Sequence, residues 1–182
     1  MYDFSNMYSY PYYVRCPICQ CRNQASYYPI QHHYHSTEES AYRVPRLQDY
    51  GKEPFVINIE NAAEQNRTFR TALWTGEHLQ VTLMSIQPGE DIGLELHSNV
   101  DQFLRIEEGR GLVQMGKTRE NLNFQKYVSE DDAIMVPAGF WHNLTNTGHK
   151  PIKLYSIYAP PEHPFGTVHR TKVEAMATEN QS

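Results

Sequence analysis

The sequence predicts an all-β domain preceded by an arm of different composition, and three observations carry that reading. From Phe55 onward, aliphatic runs alternate with Gly, Pro, Asn and Asp punctuation, giving about seven short strand-like segments with turn signals roughly every eight to twelve residues. The long alternation of helical and strand patterns that a parallel sheet requires is absent. Residues 1–50, by contrast, hold ten of the thirteen tyrosines, all three cysteines and three of the nine histidines, with no glycine and few Leu, Ile, Val or Phe. Such a stretch has little aliphatic material for a core, so an irregular, flexible arm is expected over 1–50 and a folded domain over 51–182. The boundary falls around Pro45 and Gly51–Pro54. A sandwich, jelly roll or small barrel fits the strand-rich part, and 182 residues suit one such core.

Taken in order, Asn61–Thr71 reads as a short helix, with Asn61 as N-cap and Glu64 three residues on completing a capping-box-like start. Gln80–Ile86 is β-rich and is closed by the Pro88-Gly89 turn. Ile92–His97 is a second run. Asp101–Glu107 and Gly111–Met115 flank Glu-Gly-Arg-Gly, which reads as a hairpin turn. Ala133–Val136 and Trp141–Leu144 flank Pro137–Gly139, and Ile152–Tyr158 is the last clear strand before the Pro160-Pro161 break. The tail Thr171–Thr178 is weakly helical in pattern.

Charge and hydropathy narrow the function classes. Sixteen basic against twenty-one acidic residues leave a net charge of −5, the wrong sign for a nucleic-acid binder. No apolar stretch approaches the roughly 20 residues of a membrane span, and the first residues lack the basic and apolar regions of a signal peptide. A cytoplasmic protein with no membrane or nucleic-acid partner is therefore expected. Three cysteines argue against a disulfide scaffold.

Two segments carry chemistry. The first reads Gly89-x5-Glu95-x-His97-x4-Gln102-x6-Gly109, the second Asp131-x5-Pro137-x-Gly139-x2-His142-x3-Asn146. Residues two apart in a strand share a face, so Glu95 and His97 project together. Gln102 opens the neighbouring strand after a polar turn and can face the same interior. His142 comes after a Pro-Ala-Gly turn that sets the chain direction. If the sheets close on themselves, one carboxylate, two imidazoles and one amide oxygen converge. Two histidines plus a carboxylate form the ligand set of non-haem Fe(II) centres, and Mn, Ni, Co or Zn are also tolerated.

These spacings resemble the two motifs of the cupin superfamily, G(x)5HxH(x)3,4E(x)6G and G(x)5PxG(x)2H(x)3N. Seven of the ten defining positions match: Gly89, His97, Gly109, Pro137, Gly139, His142 and Asn146. Glu95 stands where the family usually has its first histidine, Gln102 where it has glutamate, and Asp131 where it has glycine. The exchange keeps two imidazoles and one carboxylate. The resemblance covers about residues 70–160 and implies a small double-stranded β-helix barrel with short flanking helices. It also implies a divalent metal (Fe, Mn, Ni or Zn) on Glu95, His97, Gln102 and His142. A barrel that keeps its turns without a metal, Glu95 and His97 bonded to each other, is the alternative. Open-ended barrels of this kind pair through edge strands, so a homodimer is expected.

Met84, Leu104, Trp141 and Tyr155 are candidate substrate-pocket residues, each with plain packing as the alternative; Tyr155 and Tyr158 lie on opposite faces, so at most one hydroxyl reaches a pocket. Parity turns Arg105 outward. In the arm, Cys16-x2-Cys19-x12-His32-x2-His35 approaches a zinc-finger spacing and is a candidate second metal site. The domain resembles small bacterial cupins described as mannose-6-phosphate isomerase-like, which implies a metal-dependent isomerase or a dioxygenase acting on a small polar or sugar-like molecule. The competing expectation is a non-catalytic, structural or sugar-binding cupin, associated with a spore coat through its tyrosine-rich arm.

Overall fold

A computed structural model describes residues 46–179. The arm's candidate zinc ligands Cys16, Cys19, His32 and His35 lie outside those residues. In chain order the elements are α1 (Ile59–Gln65), β1 (Arg70–Thr75), β2 (Gln80–Ile86), β3 (Glu95–Leu96), β4 (Asp101–Glu108), β5 (Arg110–Gly116), β6 (Phe124–Ser129), β7 (Ala133–Val136), β8 (Trp141–Asn146), β9 (Ile152–Ala159), β10 (Val168–His169) and α2 (Lys172–Glu179). The strands form two antiparallel sheets, one ordered β10-β1-β2-β9-β4-β7 and the other β3-β8-β5-β6. No helix among the described residues is long and apolar enough to cross a membrane.

The inward faces of both sheets supply one apolar core. Met84, Leu104, Ile106 and Leu154 come from the larger sheet and Val113, Met115 and Leu144 from the smaller. Along β8 every second position is buried, which delivers Leu144, and along β4 the same alternation delivers Leu104 and Ile106 before a register shift that also buries Glu107. Truncating a fully buried leucine here, such as Leu154, costs about 2–5 kcal/mol. A second cluster lies on the outer face of the larger sheet, where Ala62 and Ala63 of α1 pack with Leu73, Leu83 and Tyr155.

Several boundaries differ from the sequence reading. Asn58, not Asn61, caps α1, its side chain accepting the Asn61 N–H; the helix ends at Gln65, and Arg70–Thr75 is a strand. The capping signal sits three residues earlier, and β1 hides behind a polar start. Glu-Gly-Arg-Gly is not a hairpin turn, because β4 and β5 belong to different sheets. Gly109 makes that crossing with φ 98°, and a Cβ there would meet the Ile152 Cα at 3.0 Å. Ile92–His97 shrinks to Glu95–Leu96, with Gly93 at φ 96° interrupting the run. The edge strand β6 is exposed over most of its length, so its polar residues concealed it from hydrophobic patterning.

Candidate metal centre

Glu95 and His142 are direct cross-strand partners between β3 and β8, and His97 lies two residues after Glu95. The two motif segments are stitched together by backbone: the Gly139 N–H donates to the His97 carbonyl at 2.7 Å, and the Ala138 N–H to Asp101 Oδ1 at 2.8 Å. Gly139 adopts φ 75° in this turn, a conformation open to glycine. The Pro-x-Gly turn therefore holds the strand bearing His142 against the segment bearing His97, which explains why both spacings occur in one chain.

One donor atom each from Glu95, His97 and His142 lies within 4.8 Å of the others. Glu95 Oε2 is 3.5 Å from His97 Nε2 and 3.8 Å from His142 Nε2. Among the described residues, none of these three buried atoms has a hydrogen-bond partner outside the group. Their other atoms are engaged. Glu95 Oε1 accepts from Arg70 Nη2 at 3.1 Å, His142 Nδ1 sits 3.2 Å from the Phe140 carbonyl, and His97 Nδ1 sits 3.1 Å from Glu162 Oε1. A carbonyl can only accept, so His142 carries its proton on Nδ1 and turns the Nε2 lone pair toward Glu95 and His97. Lone pairs facing one another in a buried site require a cation or a proton between them. Hard–borderline donors of this kind, two imidazoles and a carboxylate, suit a divalent transition ion. Ligand bonds of about 2.0–2.2 Å need the three donors to draw in by a fraction of an ångström each, within the reach of side-chain torsions.

The surroundings set protonation. Burial pushes the Glu95 carboxyl up, but His97, Arg70 and His142 outweigh it and hold it below the usual range. Burial lowers His97, yet Glu95 and Glu162 prevail and raise it, whereas burial wins at His142 and lowers it. Two further polar atoms stand beside the centre. Tyr158 is fully buried, with its ring edge-on to His97 at 5.7 Å and to His163 at 5.0 Å, and its hydroxyl is pushed up to about 12 by burial. Burial brings His163 down to about 3, so its imidazole is neutral. Both Tyr158 Oη and His163 Nε2 are buried without a close hydrogen-bond partner among the described residues. A cavity of about 380 Å³ opens from the centre, lined by Glu95, His97, Glu162, His163 and Thr167 among others. A larger depression of about 570 Å³ lies at the other end of β8, beside Arg110, Tyr127 and Thr147, and no imidazole or carboxylate is among the described residues lining it.

Of the other sequence candidates, Gln102 keeps an unpartnered oxygen, and Met84, Leu104, Trp141 and Tyr155 occupy packing positions. Gln102 is buried on β4 beside Tyr158; its Nε2 donates to Ser156 Oγ at 3.0 Å, and its Oε1 is buried without a partner. Met84 and Leu104 belong to the apolar core and do not line the cavity. Trp141 faces outward, because it precedes the inward His142, and Arg119 lies over its ring. Tyr155 packs outside with α1 and Phe103, which leaves Tyr158 as the tyrosine on the side of the centre. Sequence reasoning missed Arg70, Glu162 and Tyr158 as neighbours of the triad. Only Tyr158 had a signal, its odd spacing from Tyr155.

Comparison with known proteins agrees with this architecture. The Cupin_2 family, described as a cupin domain, matches residues 82–158. The chain is 69% identical over 134 residues to the uncharacterized protein YrkC of Bacillus subtilis, covering 74% of this chain and 72% of that one. An uncharacterized protein of Acanthamoeba polyphaga mimivirus is 36% identical over 115 residues, covering 63% and 70%. A crystal structure from Bacillus halodurans superposes with a TM-score of 0.71 at 68% identity, covering 71% of this chain and 98% of the other. With the jelly-roll sheets, the paired motif turns and these relatives in agreement, the chain belongs to the cupin superfamily as a small single-domain member.

Proposed function

We propose that this cupin holds one divalent metal ion on Glu95, His97 and His142 and acts on a small polar molecule entering through the adjoining cavity. The observation that carries this reading is the convergence of three buried donor atoms with no other partner among the described residues. A bound ion there supplies Lewis acidity and open coordination positions. The chain's own groups prepare the site. Arg70 occupies one oxygen of Glu95 and leaves the other turned inward, and the Phe140 carbonyl fixes the tautomer of His142. Tyr158 Oη and His163 Nε2 offer an uncharged donor and acceptor to a ligand's hydroxyl or carbonyl groups.

The two-histidine, one-carboxylate set favours iron or manganese and chemistry of the dioxygenase type. No lysine or arginine is among the described residues lining the cavity, which counts against an isomerase that grips a sugar phosphate. Elemental analysis of the purified protein tests the reading: about one equivalent of Fe, Mn, Ni or Zn per chain is expected, and it disappears in His97→Ala and His142→Ala variants. Full metal content in the double variant places the ion elsewhere and overturns the proposal. Oxygen uptake by the iron-loaded protein over a panel of neutral sugars and small acids, against isomer formation without oxygen, separates the two reaction types.

A further inference from the structure

The two imidazoles of the triad solve one problem in different ways. Each must carry its proton on Nδ1 so that Nε2 presents a lone pair to the shared centre. His142 meets that need within its own segment, through the Phe140 carbonyl two residues back. At His97 the group facing Nδ1 is a carboxylate from a distant part of the chain, Glu162, at 3.1 Å. Glu162 belongs to the segment after β9; its side chain is about one-third exposed at 32% and borders the cavity.

That segment is fixed in place. Gln80, fully buried in β2, donates from Nε2 to the His163 carbonyl at 2.8 Å and accepts the His163 N–H at 3.0 Å. Three residues on, the Gly166 N–H donates to Asp49 Oδ2 at 2.9 Å, and the same oxygen accepts from Thr75 Oγ1 at 2.6 Å. A side chain one residue from a two-point clasp has its backbone position set, so the carboxylate meets His97 by construction of the fold.

We propose that Glu162 is a positioning residue that holds His97 with its proton on Nδ1 and its Nε2 lone pair toward the centre, so that the segment after β9 completes the metal site. The assignment rests on the proposed metal-binding role of the triad. It makes the affinity of the site depend on a segment that also lines the cavity, and it separates the two histidines: one is preset by its strand, the other depends on Glu162.

The test uses zinc as the probe, with affinity measured by chelator competition and the imidazole N–H signals of the zinc-loaded protein recorded by NMR. The proteins compared are the full chain and its Glu162→Ala, Glu162→Gln and His97→Ala variants, with thermal melting of the metal-free forms as the folding control. Removing the acceptor in Glu162→Ala is expected to weaken zinc binding by roughly 10–100-fold. The His97 Nδ1–H signal, protected from exchange in the full chain, becomes fast-exchanging, while that of His142 is unchanged. Glu162→Gln keeps a carbonyl acceptor, so it restores the protected signal and most of the affinity. Zinc binding by Glu162→Ala within about twofold of the full chain, or equal losses in both variants with the His97 signal intact, overturns the assignment and leaves the metal reading standing. A full chain that takes up no zinc overturns both.

Discussion

His142 and Asn146 sit on the same inward face of β8, one on each side of Leu144 and both 1% exposed, yet they are treated in opposite ways. Asn146 is saturated: its Nδ2 donates to the Ile86 and Lys150 carbonyls at 2.9 and 2.8 Å, and its Oδ1 accepts the Gly148 N–H at 2.8 Å. His142 has one nitrogen anchored and the other aimed at a carboxylate oxygen and a second imidazole. Both are motif positions of the same family, buried to the same degree in the same strand. Burial of a polar group therefore does not distinguish a fastener from a functional atom; the completeness of its hydrogen bonding does. Asn146 pins the end of β8 to the end of β2, and His142 faces the centre.

The sharpest way to separate the two roles is the histidine pair. His97→Ala with His142→Ala should weaken divalent-metal binding by more than about 100-fold while the metal-free protein stays folded, because the substitutions give up only one contact each, to the Glu162 carboxylate and the Phe140 carbonyl, besides the facing Nε2 atoms. Metal titration and circular dichroism on the same samples read both effects. Asn146→Ala should behave in reverse. It strands two carbonyls and an amide, so urea unfolding should report a loss of about 2–4 kcal/mol, with metal stoichiometry preserved under native conditions. Metal loss from a folded Asn146→Ala protein would break the comparison.

Acidity sharpens it further. In the metal-free protein His163 and His142 are held below the ordinary histidine value of 6.5, while the unfolded chain protonates them near it. The unfolded state thus binds more protons, and stability falls as pH drops through 6.5 toward the His163 value of about 3. His97, raised by its two carboxylates, works the other way. Its contribution is complete below 6.5 and fades as pH rises through its folded value. Glu95, held low, contributes above its ordinary value of 4.5 and loses that contribution as pH falls through its folded value. His163→Asn should flatten the loss between pH 6.5 and 4, by less than about 1 kcal/mol per pH unit given its partial exposure. Urea midpoints across pH check this. The smallest effect belongs to Tyr155→Phe: on the outer face, it should change metal affinity by less than about twofold, since the ring stays and the hydroxyl is remote from the centre.

The legible and the concealed parts of the molecule divide along one physical line. Glu95, His97 and His142 were legible because strand parity and a Pro-x-Gly turn are local, and local spacing fixes which side chains share a face. The same parity, applied one residue further, excludes Trp141 from the face of His142. The partners that finish each candidate ligand were not legible. Arg70 lay in a segment read as helix, and Glu162 comes from a loop whose position is set by Gln80 and Asp49, neither of which is marked by a pattern. The Glu-Gly-Arg-Gly segment shows the converse failure: a good turn sequence says that the chain bends, and only packing decides whether it returns to the same sheet or crosses to the other.

The central claim is that three unpartnered atoms share one ion, and anomalous diffraction from crystals grown with manganese or zinc addresses it most directly. The expected result is a single peak about 2.0–2.2 Å from Glu95 Oε2, His97 Nε2 and His142 Nε2 together. A peak bound by other side chains, with this centre vacant at saturating metal, would contradict it.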